Sequence, residues 1–177
     1  MNEIWKTIEE ELTGDFARGY ALALHLEEHD IRRECKDNGV LLCYEWGDFS
    51  DCGESSPQEW RDETGYIVCT EEEADELAYE YIVDTLWAFL PSFLAGQTGI
   101  DIEVFEALNA NGKCESNNAA IASLIKASEP NPNQHPLQEF VDAAIGADGR
   151  EHFLAHYDAQ EHEVKVGDKT FYIYRVD

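Results

Sequence analysis

Three histidines near the C-terminus have the spacing most suggestive of chemistry. In HFLAHYDAQEH, residues 152–162, His152, His156 and His162 fall at i, i+4 and i+10, the zinc-ligand interval of metzincin proteases. Such a site needs a Glu beside the first His, as general base for the metal-bound water, and a Gly at the turn. This chain has Phe153 and Ala159 at those positions. The first two ligands also belong on a helix, whereas HFLAHY reads as a strand in which His152 and His156 share a face with Leu154. A second cluster, HLEEH at 25–29, puts His25, Glu28 and His29 in the inverted HxxEH zinc order on an expected helix. Glutamate is so abundant here that two His four apart will often enclose one, and solvated or hydrogen-bonded histidines are the simpler reading of both clusters.

Other enzyme signatures are missing from the sequence: there is no GxSxG, no Gly-rich phosphate loop and no defensible Cys–His pair. The five cysteines (Cys35, Cys43, Cys52, Cys69, Cys114) are odd in number, and none has zinc-knuckle spacing, as expected of reduced cytosolic thiols. The expectation is a protein that is not an enzyme, with no catalytic residue, no metal and no cofactor. The alternative is a small metal-dependent enzyme built on one of the two His/Glu clusters.

Charge is the stronger signal. Thirty-eight Asp and Glu against 12 Lys and Arg give a net charge of −26, far beyond what solubility requires. The acids concentrate toward the N-terminal half, and residues 45–84 hold 14 of them with a single base, Arg61. A field of this sign repels nucleic acid and anionic membrane and attracts basic surfaces, so direct nucleic-acid and membrane binding are disfavoured. The N-terminal MNEIWKTIEEELTG lacks a basic n-region and an apolar h-region, and the apolar stretch Leu77 to Ala95 is interrupted by Glu80 and Asp84. A cytoplasmic location is expected.

The elements that must position these residues follow from periodicity and punctuation. Residues 2–12 and 15–36 read as helices, 40–46 as a short strand, and 47–65 as a loop with one helical turn near Trp60. Trp46, Phe49 and Trp60 in this acidic region are core candidates, or hot spots ringed by carboxylates if exposed. Thr70 and Glu73 form a capping-box pattern opening a helix that is acidic at first and apolar all round from Tyr81 to Leu94, with Pro91 kinking or ending it. Helices are expected over 101–109, capped by Asp101, over 117–127, and over 136–145, from Pro136 to a stop at Gly146. HFLAHY, HEVKV and TFYIYRV then read as three strands, the last two joined at Gly167-Asp168. The expected fold is α+β: one domain over 1–177, mostly helical, with a helical body 1–146 and a C-terminal three-stranded antiparallel meander over 150–177.

DGREHFLAHYDAQE, residues 148–161, resembles a stretch of small phage-borne proteins with the approximate pattern DGRGHFLxxYDGxE. The matching positions are Asp148, Gly149, Arg150, His152, Phe153, Leu154, Tyr157, Asp158 and Glu161, with Glu151 and Ala159 standing where the pattern has glycine. His156 and His162 lie outside the pattern, so the resemblance speaks against a three-histidine metal site and for a structural or recognition role of this turn. LWAFLPSFLAGQTGIDIEVFEAL also resembles the central helical region of phage antirestriction DNA mimics.

These resemblances imply an acidic phage or mobile-element anti-defence protein, of anti-CRISPR or antirestriction type. It would act as a DNA mimic in the host cytoplasm, occupying the basic surface of a nucleic-acid-binding host complex. The charge pattern independently offers Asp48, Asp51, Glu54, Glu59, Asp62, Glu63, Glu71, Glu72, Glu73, Asp75 and Glu76 as partner-binding phosphate stand-ins. The competing readings are a solvated acidic face and an acidic adaptor for some other basic host protein. A homodimer is compatible with each.

Overall fold

The computed structural model describes residues 17–28, 61, 65–110, 115–128 and 135–177. The expected helix over 2–12, strand over 40–46 and turn near Trp60 lie outside these residues. The chain divides into two compact units, one formed by residues 1–74 with 154–177 and the other by residues 75–153.

The first unit is a helix on a sheet. Helix α1 (Ala17–Glu28) buries Ala21, Leu22, His25 and Leu26 along one stripe, the i, i+1, i+4, i+5 pattern of a helix with one packed face. It packs on three strands, β1 (Tyr66–Cys69), β2 (His162–Val166) and β3 (Lys169–Arg175), in the order β1-β3-β2 with both pairings antiparallel. Tyr66 pairs with Arg175 and Cys69 with Tyr172 on one side of β3, and His162 pairs with Ile173 and Val166 with Lys169 on the other. Phe171 and Ile173 alternate into the core, and each such side chain contributes about 1.5–3 kcal/mol by leaving water. Gly167 at φ 62 supplies the left-handed residue that the tight β2–β3 turn requires. The thiol of Cys69 is buried and donates to the carbonyl of Tyr172, 3.6 Å away.

Helix α2 (Glu71–Asp84) opens with the expected capping box: Glu73 N–H donates to Thr70 Oγ1 (3.3 Å) and Thr70 N–H to Glu73 Oε2 (2.8 Å). Its residues from Asp75 onward belong to the second unit. There follow a 3-10 turn at Leu86–Ala88 and four helices, α3 (Pro91–Thr98), α4 (Ile102–Leu108), α5 (Asn118–Ala127) and α6 (Pro136–Asp148). Helix α7 (Arg150–Leu154) begins in the second unit and ends in the first. The core of the second unit gathers Ile82, Leu86, Leu94, Phe105, Ile121, Ile125, Phe140, Val141 and Phe153.

The mostly helical α+β class with a three-stranded antiparallel sheet is as expected, but the sheet is assembled differently. HFLAHY is not a strand. Residues 150–154 form α7, and Phe153, Leu154 and Ala155 are buried in succession between exposed His152 and His156, which breaks the alternation a strand would need. The third strand is YIVC at 66–69, paired across more than a hundred residues.

The apolar run from Tyr81 to Leu94 is likewise two helices, and Pro91 starts the second at its N1 position instead of ending the first. Asn118 stabilises the break: its Nδ2 donates to Val83 O (2.6 Å) and its Oδ1 accepts from Trp87 N–H (3.2 Å), satisfying backbone groups that a continuous helix would have paired internally. Helix α6 runs past Gly146 and stops at Gly149, whose φ of 82 suits only glycine. Asp101 precedes α4 as expected but makes no side-chain capping bond.

Two substitutions test this account. Asn118→Ala should lower stability by about 1–3 kcal/mol in chemical denaturation by stranding two backbone groups. Ala159 has φ 52, so Ala159→Gly should raise stability by roughly 0.5–1 kcal/mol, the left-handed strain relieved less the added entropy of the unfolded chain.

Candidate partner-binding surface

Helix α2 carries the acidic surface. Its buried stripe, Ala74, Ala78 and Ile82, repeats every four residues and fixes the opposite face outward, exposing Glu71, Glu72, Asp75, Glu76, Glu80 and Asp84. Glu72, Glu76, Glu80 and Asp84 form a continuous i, i+4 row. No described cation pairs with any of these four, and no basic residue occupies the last turn of the helix.

Two of the expected phosphate stand-ins have structural partners. Glu73 receives a two-pronged ion pair from Arg18 of α1, Nη1 to Oε2 at 2.9 Å and Nη2 to Oε1 at 2.8 Å, while Arg18 also donates to the carbonyl of Val68 in β1. Partial burial pushes the Glu73 carboxyl up, but the hydrogen bonds from Arg18 and Thr70 and the Arg18 charge outweigh it and hold the pKa below its ordinary value. Asp75 pairs with Arg150 at 2.9 Å, in an exposed bridge of the kind that adds little stability. Glu71, Glu72 and Glu76 project into solvent. Asp48, Asp51, Glu54, Glu59, Asp62 and Glu63, with Trp46, Phe49 and Trp60, lie outside the described residues.

The histidines do not assemble as the spacing suggested. His152 belongs to the second unit, and His156 and His162 to the first. His25 is buried in α1, where its ring lies 4.5 Å from that of His162 and 6.0 Å, edge-on, from that of Tyr66. One member of each His cluster, buried His25 and half-buried His162, thus meets the other in a ring contact; His29 and the side chain of Glu28 lie outside the described residues. Among the described residues no group of three His, Cys, Asp or Glu is placed to hold a metal ion.

The 148–161 stretch divides in the same way. Arg150 holds Asp75, Phe153 and Leu154 are core, and Asp158 Oδ1 accepts from Gln160 N–H (3.2 Å). Tyr157 lies under the Arg175 guanidinium at 3.8 Å, and Glu161 accepts from the Tyr174 hydroxyl at 2.6 Å. Asp148 and His152 instead line a cleft with Tyr81, Trp87, Phe89 and Phe93, a feature the sequence did not suggest because its rings come from segments read as one buried helix. No described helix is long and apolar enough to cross a membrane.

Glu73→Gln should cost about 1 kcal/mol at neutral pH through the cap and the ion pair. The folded carboxyl titrates below the unfolded one, so this contribution is complete above the ordinary glutamate range and is lost as pH falls through the folded value. Thermal denaturation of parent and variant across acidic pH should therefore converge; a constant gap would remove the carboxylate from the account. Comparison with protein-family models, with curated proteins and with solved structures finds no match to this chain.

Proposed function

We propose that this protein is an acidic anti-defence inhibitor from a phage or mobile element. It occupies the basic surface of a host nucleic-acid-binding complex as a DNA mimic, in the manner of anti-CRISPR or antirestriction proteins. The observation that carries the reading is the uncompensated acidity of α2. At ~1.5 Å of rise per residue, Glu71–Asp84 spans about 20 Å with five exposed carboxylates beside the paired Asp75, one per ~4 Å, a density close to the ~3.4 Å per phosphate on a DNA strand.

The arrangement also works against the helix's own stability. Like charges at i, i+4 repel by roughly 0.2–0.5 kcal/mol per pair, and Glu80 and Asp84 sit at the negative end of the helix dipole, where cations would be favourable. A merely solvated face has no use for that cost. The rest of the second unit continues the bias, with eight carboxylates against Lys126 and Arg150 among its described residues. Such a surface finds Arg- and Lys-lined channels by electrostatic steering, and its association weakens as salt rises.

The test is capture from a bacterial lysate at low salt, with release by salt and by duplex DNA. A DNA-binding defence complex, released by both, is expected. A salt-sensitive partner that DNA does not displace would mean an adaptor, and no salt-sensitive partner would remove the reading. Glu72→Gln, Glu76→Gln and Glu80→Gln together should leave stability unchanged or raised by tenths of a kcal/mol while weakening capture at least about tenfold.

A further inference from the structure

The cleft of the second unit holds about 470 Å³ and is walled by Tyr81, Trp87, Phe89, Phe93 and Phe153, with Asp148 and His152 along it. Phe89, between the turn at Leu86–Ala88 and the helix that starts at Pro91, stacks on Phe93 at 5.6 Å with rings 23° apart. Edge-on contacts with Phe140, at 5.2 Å from Phe89 and 5.5 Å from Phe93, fix both rings from behind. Tyr81 is 38% exposed and Leu90 63%, so part of this aromatic and aliphatic surface faces solvent.

Its electrostatics have one sign. Asp148 lines the cleft, Asp84 lies one helical turn from Tyr81, and Glu80 precedes it. Among the described residues no Lys or Arg lines it, and Arg150, two residues beyond Asp148, is engaged by Asp75. Rings present a negative π face and carboxylates a full negative charge, a combination that favours an organic cation over water or an anion. Between the two cationic side chains the planar guanidinium fits better, because it can stack between rings while donating to a carboxylate.

We propose that this cleft receives an arginine side chain of the basic partner, anchoring a contact that the carboxylate row of α2 otherwise makes by long-range attraction alone. The inference rests on the proposed function for the identity of the partner. The cation site itself can be tested without one.

The probe is Nα-acetyl-arginine amide, with the citrulline amide as its uncharged isostere, titrated into the full chain and followed by backbone amide NMR. Saturable shifts at Ala88, Phe89, Ala147, Asp148 and His152 are expected with the arginine probe and not with citrulline. Asp148→Asn and Phe93→Leu should each weaken binding at least about fivefold, the first by removing the charge and the second by removing a π face at similar volume. Equal binding of both probes would overturn the proposal in favour of an uncharged ligand, and no saturable shift at tens of millimolar probe would overturn it outright.

The partner assignment has its own arm. Asp148→Asn and Phe93→Leu should weaken capture of the DNA-displaced partner, speeding its release. Undiminished capture would overturn the cleft's role and leave the carboxylate row standing. Probe binding without any DNA-displaced partner would instead overturn the proposed function and the partner's arginine with it.

Discussion

The carboxylate of Glu73 is the point on which the sheet unit is assembled. One side chain closes the capping box at the start of α2, accepts both prongs of Arg18 from α1, and through that guanidinium is connected to the Val68 carbonyl of β1. One bidentate contact whose geometry tolerates little slip therefore ties α1 to β1 and α2, which follow one another directly much later in the sequence. Hydrophobic burial supplies most of the stabilisation but is indifferent to direction, whereas this pair selects which way α1 lies against β1. In a chain so poor in cations, committing Arg18 to this junction leaves the exposed face of α2 with no counter-ion from it.

The acidic residues of α2 thereby separate by position. Half-buried Glu73 is bonded and serves the fold and exposed Asp75 is paired with Arg150, whereas Glu72, Glu76, Glu80 and Asp84 are spaced regularly and have no described cation. Their regularity follows from the helix, since buried positions recurring every four residues force exposed ones to recur likewise. Composition alone could state how much charge there was, but only the helix phase could show that Glu72, Glu76, Glu80 and Asp84 share one line.

Features governed by neighbours in sequence were legible: the Thr70–Glu73 box, Pro136 at a helix start and the Gly167-Asp168 turn each depend on residues within a few positions. What escaped were features set by distant partners. The break after Asp84 needs Asn118, and β1 needs β3. The YIVC run carried a usable signal, aromatic and β-branched residues between Gly65 and Thr70, but its brevity hid it beside a long polar stretch. DGREHFL misled because its apolar residues fit a strand as well as a single helical turn. The acidic candidate surface was visible in the charge pattern, whereas the aromatic cleft was not, since Asp148, His152 and Phe153 come to its rings from a distant part of the sequence.

The ion pair between Asp75 and Arg150 joins the second unit close to where the chain enters it and where the chain leaves it. This unit is continuous in sequence, while the sheet unit is completed only by strands that follow it. During synthesis, residues 75–153 can therefore collapse while β3 is still unmade, and the edge of β1 must wait without its partner strand until the last part of the chain emerges. The order of assembly is thus inverted relative to the order of the first strand in sequence: the inserted helical unit is free to form early, and the structure that encloses it in sequence is the last to close.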